Sequence, residues 1–570
     1  MQINKMDKNA ADFIHSPQVG HIGERDSSHA PYFHARKVGD HFETTGLSSC
    51  FLGHKLPRPN SAKPDGVFAE WSWDGSRLCV RNDRYGFYPL YYYTRDGEIA
   101  LSPSIARLLA LGAPPEFDEA GLAVFLRLGF FIGEDTPFRA IRAVPPEAKF
   151  EWREGQLQVS GQLALGKPQP QQLKRDQAID AYIALFEAAI RRRLPEGEDF
   201  AVPLSGGRDS RHILLELCKL GFRPKFCVTA RSSLPLSSQD VEMASKLAKA
   251  LNVEHVVLDQ PESILEQEIK KNHDTHFCTD EHTWFLPIAY YLKGKVRTVY
   301  DGIGGDVLSE AVSLTAERLA LFESGRFTAL AEHFFNTKDA PSHLSTTDLE
   351  LKGGASCPAK VEKERATTSE IFLAHLLPPE QYRRLGRDLA VSHLVPELRR
   401  HADAPNPVGS FRFWNRTRRE IALSPYGILS EVPHVFSPYV DHDLYDFLTS
   451  LPPGILLNRE FHTETIRRAY PSYAHIPYAS ETSSVENPRL ARRFARDTIR
   501  YTLARRPSRT IRYSYVMPRF LRCLLDRHYS SSIFWLSPPV LYLLQLETLA
   551  RGGSVDQLQD WHIGRFGQSP

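Results

Sequence analysis

Between about Asp176 and Tyr300 the chain alternates apolar strand-like runs with helical segments, and this order constrains the fold most. Phe200-Ala-Val-Pro-Leu204 is a buried-type strand, Asp209–Leu220 a helix, and Lys225-Phe-Cys-Val-Thr229 a second strand. Ser238–Leu251 follows as a helix with Val241, Ala244, Leu247, Ala248 and Leu251 on one face. His255–Leu258 and Arg297–Tyr300 are further strands. Strands joined through helices pair in parallel, so the pattern predicts an α/β parallel sheet covered by helices on both faces.

The chain has 570 residues, too many for one hydrophobic core, and two to four domains are expected. Residues 1–65 are polar, His-rich and weakly periodic, and read as partly irregular. Short β-prone runs follow at Val67–Trp73, Leu78–Arg81 and Leu90–Thr94, then a helix at Glu119–Leu128 and a β-prone segment at Ala148–Val159. This predicts an α+β N-terminal domain over 1–165. A linker at 160–173 leads to the α/β domain over 176–485, and a basic helical extension occupies 486–570.

Val202-Pro-Leu204-Ser205-Gly206-Gly207-Arg208-Asp209-Ser210 follows a strand and opens a helix. Small residues let backbone N–H groups approach an anion, and the helix N-terminus adds favourable partial charge. A phosphate chain is the natural guest. Asp209 is out of place beside phosphates unless a cation lies between them, as Mg²⁺ held by one or two carboxylates and phosphate oxygens does. The loop is not of the G-x-x-x-x-G-K-[ST] type. A second element, Asp301-Gly302-Ile303-Gly304-Gly305-Asp306, again sets glycines and carboxylates at the carboxyl end of a strand.

These two elements resemble those of asparagine synthetases and related amide-forming ligases. The first matches the S-G-G-x-D-S loop of ATP pyrophosphatases, which cleave ATP between the α and β phosphates. The second stands where that family carries S-G-E-G-x-D-E. Ser237-Ser-Gln-Asp240 and Ser437-Pro438-Tyr439-Val440-Asp441 resemble two more of its segments, and the resemblance extends over about 66–480. It implies ATP and Mg²⁺ as cofactors, with Asp209 and Asp306 as metal ligands and Asp209, Asp306 and Ser205 as catalytic groups. Ser205, Gly206, Gly207 and Ser210 become the pyrophosphate cradle, and Val228 and Gly302 neighbours of the adenine. Leu204 and Asp301, flanking the loops, complete the nucleotide site. The expected reaction adenylates a small-molecule or peptide carboxylate, and an amine or ammonia then displaces AMP.

Gly66-Val-Phe-Ala, Arg81-Asn-Asp83-Arg84-Tyr-Gly86 and Phe138-Arg139-Ala-Ile-Arg142 resemble the scaffold of the family's Ntn-type glutaminase. That domain needs Cys at its mature N-terminus, but Gln2 follows Met1 here and no Cys precedes Cys50. The domain is therefore read as degenerate, without glutaminase activity. Cys50 is a structural residue or, after proteolysis, an exposed nucleophile. β-Lactam synthetases and lasso-peptide cyclases, similar in outline, use an amine carried by the substrate.

Two departures bear on activity. Ile303 replaces the family's Glu or Tyr and cannot move protons. The family's late lysine is missing from Ile476-Pro-Tyr-Ala-Ser480-Glu481, with Arg467 and Arg468 nearby. The rival reading is accordingly a nucleotide-binding regulatory or scaffold protein without turnover. Transfer of sulfur or nitrogen to a nucleic-acid base would need a reactive Cys pair or an RNA-binding module, and neither is visible.

His273-Asp-Thr-His276-Phe-Cys278-Thr-Asp280-Glu281-His282 reads as a solvated helix end and loop. Its alternatives are a metal site or a replacement base from Asp280, Glu281 or His282. Arg208 and Arg211 are surface residues or phosphate contacts. The arginines of the tail, Arg489 to Arg512, form a solvated basic face or a docking surface for an acidic partner. A net charge of +2 gives no field that would steer nucleic acid, and a nucleic-acid partner is not expected. Seven widely spaced cysteines without a C-x-x-C pair argue for a reducing compartment. With no signal-like start, and Pro538-Pro539 interrupting the apolar run Phe534–Leu546, the expectation is a cytoplasmic protein without a membrane span.

Overall fold

A computed structural model describes residues 30–58, 63–160, 173–195, 197, 199–231, 239–259, 263–336, 370–479 and 488–552. The 160–173 linker falls almost wholly outside them, as do Ser237 and Ser238.

The N-terminal part contributes β1 (Phe33–Val38), β2 (His41–Gly46), β3 (Ser49–Leu56), β4 (Asp65–Trp73) and β5 (Arg77–Asn82). It continues with β6 (Tyr91–Arg95), β7 (Glu98–Ser102), β8 (Arg142–Ala143), β9 (Lys149–Arg153) and β10 (Gln156–Ser160). They form two five-stranded antiparallel sheets, ordered β2-β1-β7-β6-β8 and β10-β9-β5-β4-β3. Alternation drives the packing: Leu78 and Val80 of β5 point inward while Arg77 and Arg81 face out. Phe33, Ile99 and Leu101 from one sheet meet Trp71, Val80, Phe150 and Trp152 from the other. Asp74 closes the β4–β5 hairpin by accepting the N–H groups of Ser76 (3.0 Å) and Arg77 (2.8 Å).

Within the stretch 1–65, read as partly irregular, β1 to β3 are regular paired strands, and residues 1–29 and 59–62 lie outside the described residues. β2 and β3 are edge strands, β2 exposed at five of its six residues and β3 with an inward face that is mostly only partly buried, so the periodicity is weak there. Cys50 lies within β3 opposite Trp71, and burial pushes its thiol up to about 11. It is thus a structural residue of a paired strand, with little thiolate to act as a nucleophile.

The second part is built on β11 (Phe200–Pro203), β12 (Phe226–Ala230), β13 (His255–Leu258), β14 (Thr298–Tyr300) and β15 (His434–Phe436). They form one sheet, ordered β13-β12-β11-β14-β15, with every neighbouring pair parallel. The parallel sheet is as expected; β15, three residues long, was not foreseen.

A buried ionic cluster joins the two parts. Arg193, 1% exposed at its side chain, meets Asp65 of β4 at 2.8 Å and Asp441 at 2.7 Å. Arg192 also donates to Asp441 (2.7 Å). Burial works against the charged form of Asp441, yet Arg192 and Arg193 hold it well below the usual carboxylate range. Nearby, Tyr85 packs its ring on Phe413 and Tyr445.

Helix Ile533–Ala550 runs through Pro538 and Pro539, which had been read as an interruption. Among the described residues, Ser530–Ala550 is the one helix long and apolar enough to cross a membrane, and most of it is buried inside the molecule. Tyr542 stacks on Phe125 at 4.7 Å, and Gln545 accepts from Asn272 at 2.6 Å. Tertiary burial here outweighs the local cost of proline. Several tail arginines lie over the chain's own rings, Arg505 on Tyr501 (3.5 Å) and Arg519 on Tyr515 (3.6 Å).

Candidate active site

The chain leaves β11 toward β12 and β13 on one side and returns to β14 on the other. The crevice beyond the carboxyl ends of β11 and β14 is therefore the point where strand order reverses, where open α/β sheets hold ligands. Both glycine-rich loops open into it.

In the first loop the Ser205 N–H donates to Ser210 Oγ (3.0 Å), and the Gly207 N–H donates to Ser205 Oγ (3.2 Å). The Gly206 N–H donates to the Asp240 carboxylate (2.7 Å). A Cβ on Gly206 would stand 2.6 Å from the Ala479 methyl, so only glycine fits there. Helix Asp209–Lys219 begins without a side-chain cap, leaving its first turn open to an anion. Leu204 and Val228 are buried behind the loop, with the Leu204 N–H on the Val228 carbonyl (2.8 Å).

The second loop closes on Asp209. A Cβ on Gly302 would lie 2.7 Å from Asp209 Cβ, and one on Gly305 would lie 2.4 Å from Asp209 Cγ and Oδ1. The missing side chains let the carboxylate of the first loop rest against the backbone of the second. Asp301 accepts the Ile303 N–H (2.8 Å), and burial pushes its carboxyl up to about 6. Asp306 starts a wide π-type turn, Asp306–Glu310, and accepts the Val307 N–H (2.7 Å). Burial, then the charges of Asp306 and Glu310, push Asp209 well above the usual carboxylate range. Asp209 Oδ1 is buried with no hydrogen-bond partner among the described residues. A group of carboxylates crowded this closely binds a proton or a cation.

Sequence reasoning missed two residues here. Glu310 Oε1 lies 3.7 Å from His462 Nδ1, and Asp209 Oδ1 lies 3.4 Å from the same atom. Glu310 stands four residues after Asp306, a weak sign that both serve one face. His462, on helix Phe461–Ala469, carries no local sign at all. Ile303 is buried in the core, where an aliphatic side chain packs and moves no protons.

Arg208 donates to Thr463 Oγ1 (2.6 Å) and to Glu310 Oε2 (3.3 Å), which brings a guanidinium to the rim of the site. Arg211 holds the carbonyls of Ile476 and Pro477 (both 2.7 Å), and both guanidiniums lie over Tyr478. These two cations thus lie beside the segment Ile476–Tyr478, while Ser480 and Glu481 fall outside the described residues. Arg468 instead pairs with Asp176 and Asp180 on the exposed face of helix Arg175–Arg191.

The segment 273–282 is not solvated, as had been expected: Cys278, Thr279 and His282 are buried. Arg416 binds both oxygens of Glu281 (3.0 Å each) and meets Glu420 at 3.0 Å. Glu281, His282 and Glu420 lie close enough to share a metal, but this guanidinium already compensates the carboxylates. Neither ring nitrogen of His282 has a hydrogen-bond partner among the described residues. Burial pushes its imidazole down to about 4, so the folded protein keeps it neutral. An unfolded chain binds that proton near pH 6.5, so this contribution to stability is whole above 6.5 and is lost as pH falls toward 4. His282→Gln removes the titration. The wild-type advantage in unfolding free energy over the variant is expected to shrink by about 3 kcal/mol between pH 7 and pH 4. A difference that does not change with pH would show that His282 titrates as it does in water.

Residues 59–162 match the family described as glutamine amidotransferase domain. No curated protein sequence matches the chain. Among solved structures, NMN synthetase from Francisella tularensis is similar at 16% identity over 39% of this chain and 96% of that one, with a TM-score of 0.19, and at that score the likeness carries no argument. The stretch similar to the glutamine amidotransferase domain family thus falls on the antiparallel sheets, and a five-stranded parallel sheet among helices follows.

Proposed function

We propose that the protein is an asparagine synthetase-like, ATP-dependent ligase that joins a substrate carboxylate to an amine. One observation carries the reading: Asp209, at the strand-order reversal, has its carboxylate seated against Gly302 and Gly305 of the second loop. ATP would supply the activated α-phosphorus and Mg²⁺ the neutralising charge on the departing pyrophosphate. Asp209 and Asp306 hold the cation, and the unpartnered buried Asp209 Oδ1 fits that use. Ser205, Gly206, Gly207 and Ser210 cradle the phosphates, while Leu204, Val228, Asp301 and Gly302 wall the nucleotide. The Gly206 N–H is held from outside the loop, by Asp240, whereas the Ser205 and Gly207 N–H groups are held by serine hydroxyls of the loop itself, so Asp240 helps to set the loop's shape. Arg208 offers positive charge at the rim.

The substrate carboxylate oxygen bonds to the α-phosphorus as the α–β phosphoanhydride bond breaks, giving an acyl-adenylate and pyrophosphate. An amine then attacks the acyl carbon and expels AMP. Ammonia from glutamine is not its source in this reading, because Cys50 is half-buried within a paired strand, with its thiol raised to about 11. The amine is free ammonia or a group on the substrate.

The test is AMP and pyrophosphate formation from ATP and Mg²⁺, with pooled carboxylates, with and without amines. Product is expected only with a substrate pool, and neither Asp209→Ala nor Asp306→Ala should form it. ATP binding without AMP in any pool favours a nucleotide-binding protein without turnover, the reading that the buried Ile303 supports.

A further inference from the structure

We propose that the cation site at Asp209 is completed by Glu310 and His462, and that the imidazole makes it a site for a transition-series divalent cation such as Mn²⁺. The inference rests on the nucleotide reading for the use of the ion, but not for its ligands. One donor atom from each of Asp209, Glu310 and His462 lies within 4.8 Å of the other two. Two donors about 2.1–2.2 Å from one ion stand roughly 3.0–3.6 Å apart at octahedral or tetrahedral angles. His462 Nδ1 is 3.4 Å from Asp209 Oδ1 and 3.7 Å from Glu310 Oε1, so small movements bring the three onto one centre.

The hydrogen-bond network admits a ligating tautomer of His462, because either ring nitrogen can carry its hydrogen. The Tyr439 hydroxyl has one proton, and the backbone carbonyl of Asp209 takes it (3.2 Å). His462 Nε2 lies 3.3 Å from that hydroxyl oxygen and 3.1 Å from His212 Nδ1. We assign the ring hydrogen to Nε2, where it meets these acceptors. Nδ1 then turns a lone pair toward two carboxylates, in a side chain that is 0% exposed, and has no hydrogen-bond partner among the described residues. In this tautomer a cation among the three groups makes the arrangement favourable, whereas without one the ring would turn an N–H toward the carboxylates. Tyr439 and His212 orient the ring from behind, as outer partners of metal-bound histidines do. Arg208 holds Glu310 Oε2, leaving Oε1 toward the site. Magnesium favours oxygen donors, whereas a mixed set of imidazole and carboxylates suits manganese, iron or zinc.

The test uses the full-length protein freed of metal with a chelator, then titrated with Mn²⁺ and followed by electron paramagnetic resonance. We expect one Mn²⁺ per chain, with nitrogen modulation of the spin echo from a bound imidazole. His462→Gln should abolish the modulation, and both it and Glu310→Gln should weaken binding by at least about tenfold. Melting curves check that each variant folds, and Glu310, nearer the rim, serves if His462→Gln does not. Mn²⁺ bound without nitrogen modulation, at an affinity that neither variant changes, would overturn the proposal and leave a cation on Asp209 and Asp306 alone. AMP formation with Mg²⁺ by a chain that binds no Mn²⁺ would also overturn it. Mn²⁺ held as expected by a protein that never forms AMP would support the site and defeat the ligase reading instead.

Discussion

Gly305→Ala is expected to lower ATP-dependent turnover by at least about 100-fold while leaving the protein folded. The backbone at Gly305 is helical, with φ −60°, so alanine is at home there. The effect is steric and local. The new methyl would stand 2.4 Å from Asp209 Cγ and Oδ1, well inside contact distance. Asp209 cannot stay, and its carboxylate must shift by about an ångström. A displacement of that size at a reacting centre costs on the order of 100-fold. Affinity for Mg²⁺ and ATP should fall with the rate, because the same carboxylate is proposed to hold the ion. Gly454→Ala is the control, since open space surrounds Gly454. If Gly305→Ala binds and turns over like the wild type, Asp209 does not do the chemistry assigned to it.

Arg193→Met should destabilise the protein by about 3–5 kcal/mol, read from chemical or thermal unfolding. Methionine keeps the apolar stem and removes the charge. The loss strands Asp65, whose remaining bond is to the Gly66 N–H (2.6 Å), in an interior where burial already pushes its carboxyl up. Asp441 keeps Arg192. Adding Asp65→Asn to Arg193→Met should restore part of the loss, because an amide is cheaper to bury than an unpaired carboxylate. The pair ties β4 to the segment that follows β15, so the first transition lost should be the docking of the N-terminal sheets on the α/β part. Strictly additive effects of the two substitutions would show that the pair contributes no coupling.

What could be read from the sequence was chemistry carried by short contiguous segments. Ser205–Ser210 and Asp301–Asp306 each hold their glycines and carboxylates within six residues, and strands bounded by glycine or proline place them at a sheet's carboxyl end. The four strands from Phe200 to Tyr300 were legible because each is a short apolar run. β15 was not, being three residues amid segments that read as helical. β2 was hidden because an edge strand with a solvated face lacks the alternation that burial imposes, and β3, whose burial does alternate, sets the apolar Phe51 on its exposed face and so blurs the pattern. His462 comes from a helix some 250 residues beyond Asp209, and only the packing of helix Phe461–Ala469 brings them together. The 273–282 segment misled in the opposite sense. Its polar composition suggests solvent, but Arg416 and Glu420 arrive from a distant wide-turned helix and cover it. Composition reports what a segment contains and is silent on what covers it.

The most direct test of the ligase reading is ATP–pyrophosphate exchange, with labelled pyrophosphate, full-length protein, pooled carboxylates and no amine. The account predicts that label enters ATP only when a substrate carboxylate is present, and that Asp209→Ala abolishes the exchange. Release of ADP and phosphate in place of AMP, or nucleotide binding with no exchange in any pool, would contradict it.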